Sequence, residues 1–208
     1  MTSLSPSLTL VVSTLCAYLI GGLPFGYWFV RLSSGKDIRS MGSGNIGATN
    51  VHRTAGRKAG LAVLMLDILK GFLAVWLAAR LTNDNPAVVA LAAAAVMLGH
   101  CYPIFLRFKG GKAVATFVGA FLFLAPLALL ATTIVFILVV SVSRYISLGS
   151  IIGALVFPFT VWFFEHASGD VMAASIYAAL LVVYRHKGNI ARLRAGKEHV
   201  FSFKGKQA

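Results

Sequence analysis

AVATFVGAFLFLAPLALLATTIVFILVVSV, Ala113 to Val142, runs for 30 residues without one charged side chain. A membrane helix needs about 20 apolar residues, so the stretch is long for one span and short for two. Pro126, near its middle, decides the matter. Proline lacks the amide hydrogen and clashes with the preceding turn, which predicts two helices, Ala113–Leu124 and Pro126–Val142, joined by a tight turn. Working outward, apolar windows of similar character predict five more spans, Leu8–Val30, Ala59–Ala79, Pro86–Phe105, Leu148–Phe164 and Val171–Tyr184. The expectation is an all-α integral membrane protein of seven transmembrane helices, N-terminus outside and C-terminus cytoplasmic, with residues 1–208 forming one membrane-embedded unit.

Composition supports that class. The chain of 208 residues is 58% hydrophobic and only 12% charged, with a mean hydropathy of +0.83. Soluble domains carry about 25% charge, so a soluble enzyme or binding module is ruled out. Nineteen Lys and Arg stand against six Asp and Glu, a formal charge of +13. In a soluble chain that excess would suggest nucleic acid; in a membrane protein it reports topology. If Pro126 only kinked one helix, six spans would mix basic loops across both faces. Seven spans with the N-terminus outside place 17 of the 19 basic residues on the cytoplasmic side, leaving Arg80 outside and Lys70 within a span. The basic residues lie in every inner loop without interleaved exposed aromatics, which excludes nucleic acid as a partner. The N-terminal segment MTSLSPSLTL has no basic region or small-residue cleavage site and reads as the start of a retained first helix. Cys16 and Cys101 sit in apolar runs with no metal-ligand spacing and read as packing residues.

The densest chemical signal is MGSGNIGATNVHRTAGR, Met41 to Arg57. Gly42, Gly44 and Gly47 match G-x-G-x-x-G, but no βαβ unit surrounds them. What survives is the physical content: glycines let backbone amides converge on an anion, and Ser43 and Asn45 add donors. A helix starting near Ile46 would place Asn50, Arg53 and Arg57 on one face. A second cluster, GHCYPIFLRFKGGKAVAT (Gly99 to Thr116), puts Lys112 after Gly110 and Gly111 at the start of a membrane helix. A cation there opposes the positive helix end unless an anion binds between them, which singles it out from Arg107 and Lys109. The GGK is no Walker loop, because position 106 is Leu and Ala113 follows the lysine. His100 lies at the inner end of the third span. RYISLGS (Arg144 to Ser150) brings Ser147 and Ser150 to the start of the sixth span, where capping explains one hydroxyl. YRHKGNIARLRAGKEH (Tyr184 to His199) places His186 and Asn189 where an imidazole and an amide can meet one ligand. Asp67 and Lys70, within the second span, read as an intrahelical ion pair, with orientation of a substrate-binding cation as the alternative.

Absences narrow the chemistry. No H-x-x-x-x-D base, multi-Asp metal site or Ser-His-Asp arrangement can be assembled from the sequence. A transporter or flippase for a phosphorylated anion would use the same basic donors, but usually shows paired inverted repeats with interrupted helices, and none is visible here.

GSGNIGATNVHR, GHCYPIFLRFKGGKAVAT, RYISLGS and YRHKGNIARL, with DILKG in the second span, resemble the bacterial acyl-phosphate:glycerol-3-phosphate acyltransferases, the PlsY family. The resemblance covers essentially the whole chain and implies transfer of a fatty acyl group from acyl phosphate to the 1-hydroxyl of glycerol 3-phosphate. It further implies lysophosphatidic acid and inorganic phosphate as products, no metal and no cofactor, and the inner membrane with a cytoplasm-facing site. Membrane lipid and the enzyme that supplies acyl phosphate are the implied partners. On this reading Ser43, Asn45, Arg53, Lys112, His186 and Asn189 carry catalysis. Gly42, Gly44, Gly47, Asn50, His100, Gly110, Gly111, Ser147 and Ser150 bind substrate.

Overall fold

A computed structural model describes residues 5–201, so the tail lysines Lys204 and Lys206 lie outside the described residues. Those described are helical wherever they are regular. The helices are α1 (Pro6–Gly22), α2 (Phe25–Ser34), α3 (Ala48–Ala55), α4 (Arg57–Leu81), α5 (Pro86–Cys101), α6 (Val114–Leu124), α7 (Pro126–Ser143), α8 (Ile146–Phe164), α9 (Gly169–Arg185) and α10 (Lys187–Arg194). Short 3-10 turns stand at Ile38–Ser40 and Ile104–Leu106.

The 30-residue apolar stretch divides at Ala125, with Pro126 opening α7. The exposed amides of α7's first turn are capped from another helix, as Glu165 Oε1 accepts from Leu127 N at 2.8 Å and Ala128 N at 3.0 Å. A carboxylate at a helix N-terminus also meets the positive end of the dipole.

The first predicted span differs from expectation. It breaks at Leu23–Pro24 into α1 and α2, because a proline forbids the helical bond across it. The carbonyl freed by that break, Leu23 O, accepts from Lys70 Nζ at 2.8 Å. Lys70 therefore serves two elements, and the Asp67–Lys70 contact of 2.7 Å is more than a pair within one helix.

Among the described residues, five helical segments are long and apolar enough to cross a membrane, Pro6–Ser34, Arg57–Leu81, Pro86–Leu106, Pro126–Ser143 and Ile146–Phe164. The helix α6 has 11 residues, about 16 Å at 1.5 Å per residue, roughly half of a 30 Å hydrocarbon layer. The loop before it must therefore reach well into the bundle.

Between helices the contacts are made by small residues, as membrane packing favours. Gly119 of α6 lies on the backbone of α4 at Ile68, Gly71 of α4 on Thr116, and Gly99 of α5 on Tyr18 of α1. Around them Ala17, Ala74, Ala78, Ala92 and Ala93 are buried, and Phe117, Phe121 and Phe157 stack with ring centroids 4.6–5.1 Å apart. Outward-facing Leu130, Leu138, Phe159 and Trp162 are exposed, as a lipid-facing surface requires.

Candidate active site

One polar cavity of about 140 Å³ gathers residues from every motif read in the sequence. Ser43, Asn45, Gly47, Asn50, Arg53, His100, Lys112, Ser147, Ser150, His186 and Asn189 line it. Gly42, Gly44, Gly110 and Gly111 do not. Gly42 and Gly44 instead supply positive φ values of 55° and 71° to the first loop, a region that L side chains avoid. At Gly110 and Gly111 an added Cβ would run into the His100 carbonyl and the His100 imidazole respectively.

The first loop is held by Asn50. Its Nδ2 donates to Met41 O at 2.9 Å and Asn45 O at 2.8 Å, and its Oδ1 accepts from Ser43 N at 2.9 Å. Gly44 N donates to Met41 O at 3.0 Å, and Gly47 N to Asn45 Oδ1 at 2.7 Å. The amides of Ser43, Gly44 and Gly47, expected to converge on an anion, are thus occupied inside the loop. The donors facing the cavity are side chains, together with the first-turn amides of α3 at Ala48 and Thr49, which have no intrahelical partner. The helix itself begins two residues later than expected and ends at Ala55, where Gly56 takes φ +91°. Arg57 therefore starts α4, away from the Asn50–Arg53 face, and lines the neighbouring apolar groove.

Lys112 points into the cavity and donates to Asn189 Oδ1, while Arg107 and Lys109 line a separate recess. Ala113 follows in the left-handed region at φ +57° and is fully enclosed, a strained conformation that turns the chain from the loop into α6. Arg185 clamps the same loop, its Nε and Nη2 donating to Gly111 O and Gly110 O at 2.9 Å each, with its guanidinium over the Tyr102 ring.

Glu198, absent from the sequence-derived set, organises the opposite wall. Its carboxylate accepts from Asn189 Nδ2 at 2.8 Å, Arg192 Nε at 2.8 Å and Ser147 Oγ at 3.1 Å. Ser147 and Ser150 are thereby separated. The Ser147 hydroxyl is directed to Glu198, whereas Ser150 Oγ donates to Ile146 O at 2.9 Å and keeps its lone pairs toward the cavity. Neither caps α8, whose N-cap is Tyr145. The only sequence signal for Glu198 was a lone carboxylate in a basic tail.

Burial, then the nearby Lys112 charge, pushes the His186 imidazole down to about 4. Its Nδ1 lies 2.7 Å from Val182 O, which assigns the proton there and leaves Nε2 as an acceptor. Burial, then the charge of Arg192, lowers the Lys112 ammonium to about 8. Only the protonated ammonium attracts an anion, so kcat/KM for a phosphorylated substrate held by Lys112 would fall as pH rises through about 8 in the free enzyme. Arginine stays charged throughout, so Lys112→Arg should carry no such limb below pH 10 on the activity it retains. Initial rates between pH 6 and 10 check this, and an unchanged limb in the variant would assign it to another group.

Beside the cavity runs an apolar groove of about 510 Å³ between α4, α6, α7 and α8. Ala48, Thr49, Leu64, Val114, Ala115, Ile146 and Ser150 line both. A donor-rich pocket thus opens sideways into a space suited to a hydrocarbon chain.

Comparison with known proteins agrees with this geometry. The family model described as glycerol-3-phosphate acyltransferase matches residues 11–196. The chain belongs to the glycerol-3-phosphate acyltransferase family. It is 48% identical to the glycerol-3-phosphate acyltransferase of Syntrophotalea carbinolica, over 91% of this chain and 96% of that protein. With the Trichlorobacter lovleyi enzyme of the same name it shares 50% identity over 89% and 94% of the two chains. Among solved structures it is similar to PlsY (YgiH), an integral membrane glycerol 3-phosphate acyltransferase, in its glycerol 3-phosphate form. That likeness has a TM-score of 0.87 and 37% identity, over 93% of this chain and 96% of the other. The lysophosphatidic acid form of PlsY gives 0.84 and 35%, over 94% and 97%.

Proposed function

We propose that this chain transfers a fatty acyl group from acyl phosphate to the 1-hydroxyl of glycerol 3-phosphate, releasing lysophosphatidic acid and inorganic phosphate. The observation that carries this reading is the junction of a cation- and hydroxyl-lined cavity with an apolar groove, joined at Ser150, Val114 and Ala115. Acyl phosphate spans such a junction, with its chain in the groove and its phosphate in the cavity. Ser43, Asn45 and the α3 amides hold that phosphate and polarise the acyl carbonyl. Arg53 and Lys112, with Ser150, His186 and Asn189, hold glycerol 3-phosphate and aim its hydroxyl.

In the reaction the hydroxyl oxygen bonds to the acyl carbon, the bond from that carbon to the phosphate oxygen breaks, and one proton leaves the hydroxyl. A histidine near 4 is a weak base at neutral pH. The departing phosphate is the better acceptor, while His186 Nε2 orients the hydroxyl. Phosphate is already a good leaving group, so the route calls for neither a metal nor a covalent enzyme intermediate.

The chain acts as a single unit of seven spans, N-terminus outside and C-terminus in the cytoplasm of a bacterium, in its inner membrane. Support comes from the site itself. The end of α5, the starts of α6 and α8 and the end of α9 meet around one cavity, with Lys112, Arg144 and Arg185 at or beside those ends, as alternate crossings with positive loops inside require. Purified protein should release phosphate when given palmitoyl phosphate and glycerol 3-phosphate together. Release no faster than the blank, or equal rates with acyl-CoA as donor, would overturn the reading.

A further inference from the structure

The side chains given substrate roles above are rich in donors, which suits phosphate. Glycerol 3-phosphate also carries two hydroxyls, and a hydroxyl bound away from water needs an acceptor. Side-chain acceptors in the cavity are mostly engaged: Glu198 by Ser147, Asn189 and Arg192, Asn50 by the Ser43 amide, Asn45 by the Gly47 amide, Asn189 by Lys112. His186 Nε2 serves the 1-hydroxyl in our reading. Asp67 is left.

Asp67 lies on α4 at the floor of the cavity, with its side chain 3% exposed. Its Oδ1 is 2.7 Å from Lys70 Nζ, an ion-pair contact too oblique for a hydrogen bond, and 3.7 Å from His100 Nδ1, too far for one. Both Asp67 Oδ1 and His100 Nδ1 are buried without a hydrogen-bond partner. The ammonium of Lys70 donates to Leu23 O instead and sits 5.5 Å from the Phe25 ring centre. His100 is fixed edge-on against Gly111, so its other edge faces Asp67. A buried carboxylate balanced in charge but incomplete in hydrogen bonds is unusual for a purely structural pair.

We infer that Asp67, with His100 beside it, accepts the 2-hydroxyl of the acyl acceptor and so determines which polyol phosphate is used. The inference rests on the proposed acyl transfer to glycerol 3-phosphate. Lys70 balances the charge of the carboxylate, and the contact exists only when the substrate brings a hydroxyl.

The test compares three acceptors with the wild-type enzyme: glycerol 3-phosphate, 3-hydroxypropyl phosphate, which lacks the 2-hydroxyl, and dihydroxyacetone phosphate, whose C2 carbonyl can only accept. We expect kcat/KM to fall by about 30-fold or more on losing the hydroxyl, and further with the ketone, whose oxygen would face the carboxylate. A ketone used as well as or better than the deoxy compound, or a deoxy compound within threefold of glycerol 3-phosphate, would overturn the inference without any variant. Asp67→Asn should reduce the discrimination at least about fivefold. Asp67→Leu with Lys70→Met, which removes the acceptor and the charge it balances, should bring it near one. Equal loss on all acceptors, with the ratio unchanged, would make Asp67 a strut and sink the proposal. No acylation of glycerol 3-phosphate by the wild-type protein would instead refute the proposed function.

Discussion

Lys112→Met should lower kcat/KM for acyl transfer by about three orders of magnitude, close to 4 kcal/mol of transition-state stabilisation at 1.36 kcal/mol per factor of ten. The ammonium is enclosed between Arg53, Asn189 and His186 at the mouth of α6 and has been desolvated to a value of about 8. Charge-assisted bonds to phosphate in such a setting are the strong ones. Methionine preserves length and apolar packing, and the polar partner it abandons, Asn189, keeps its bond to Glu198. The variant should therefore fold while losing phosphate binding and charge stabilisation together. Phosphate-release rates with each substrate varied in turn measure it. A loss below tenfold would remove Lys112 from the ligand set.

Glu198→Ala should have the second largest effect and a different character. Three donors, Ser147 of α8 and Asn189 and Arg192 of α10, converge on that carboxylate, which is 3% exposed. Burial alone would raise its pKa, but the hydrogen bond from Asn189 and the charge of Arg192 outweigh it and hold it below the ordinary 4.5. Removing one partner of a buried pair costs about 3–5 kcal/mol. Arg192 is partly exposed, so solvent screening places the expectation at the low end. Thermal unfolding in detergent should shift downward and activity should fall at least about a hundredfold. Glu198→Gln, which keeps the bonds from Ser147 and Asn189 but not the charge opposite Arg192, should keep most of the stability and lose about tenfold in rate. Because the folded-state value is depressed, the contribution is complete above pH 4.5 and fades only as the pH falls below it. A Glu198→Ala protein as stable and active as wild type would contradict the network.

How far the sequence could be read depended on what kind of interaction each residue makes. Pro126 could be read because a proline's missing amide is a local property, and the break falls at that residue. Pro24 carries the same signal but lies hidden within a long apolar window, since hydropathy registers composition and not backbone bonding. Lys112 was distinguished from Arg107 and Lys109 by its place at a helix start, and it alone of the three lines the cavity. The glycines of the first two motifs were expected to cradle an anion, but several serve backbone geometry or close packing against His100. A glycine's reason is set by what lies across from it, and that neighbour is distant in sequence.

Hydropathy, the placement of charge and Pro126 determined that this chain is a helical membrane protein whose candidate site gathers among its basic segments, because those are one-dimensional properties. Only the tertiary structure decided that Glu198 holds Asn189 and Ser147, that Arg185 clamps the Lys112 loop, and that Asp67 faces the cavity with hydrogen bonds incomplete. It also decided that the polar pocket opens onto an apolar groove. The Ser147–Glu198 and Arg185–Gly111 contacts bring atoms to 3.1 and 2.9 Å from residues 51 and 74 apart in the chain, and no local pattern encodes such meetings. Desolvation, which moves Lys112 and His186 from their ordinary values, belongs to the enclosed volume and to no residue alone.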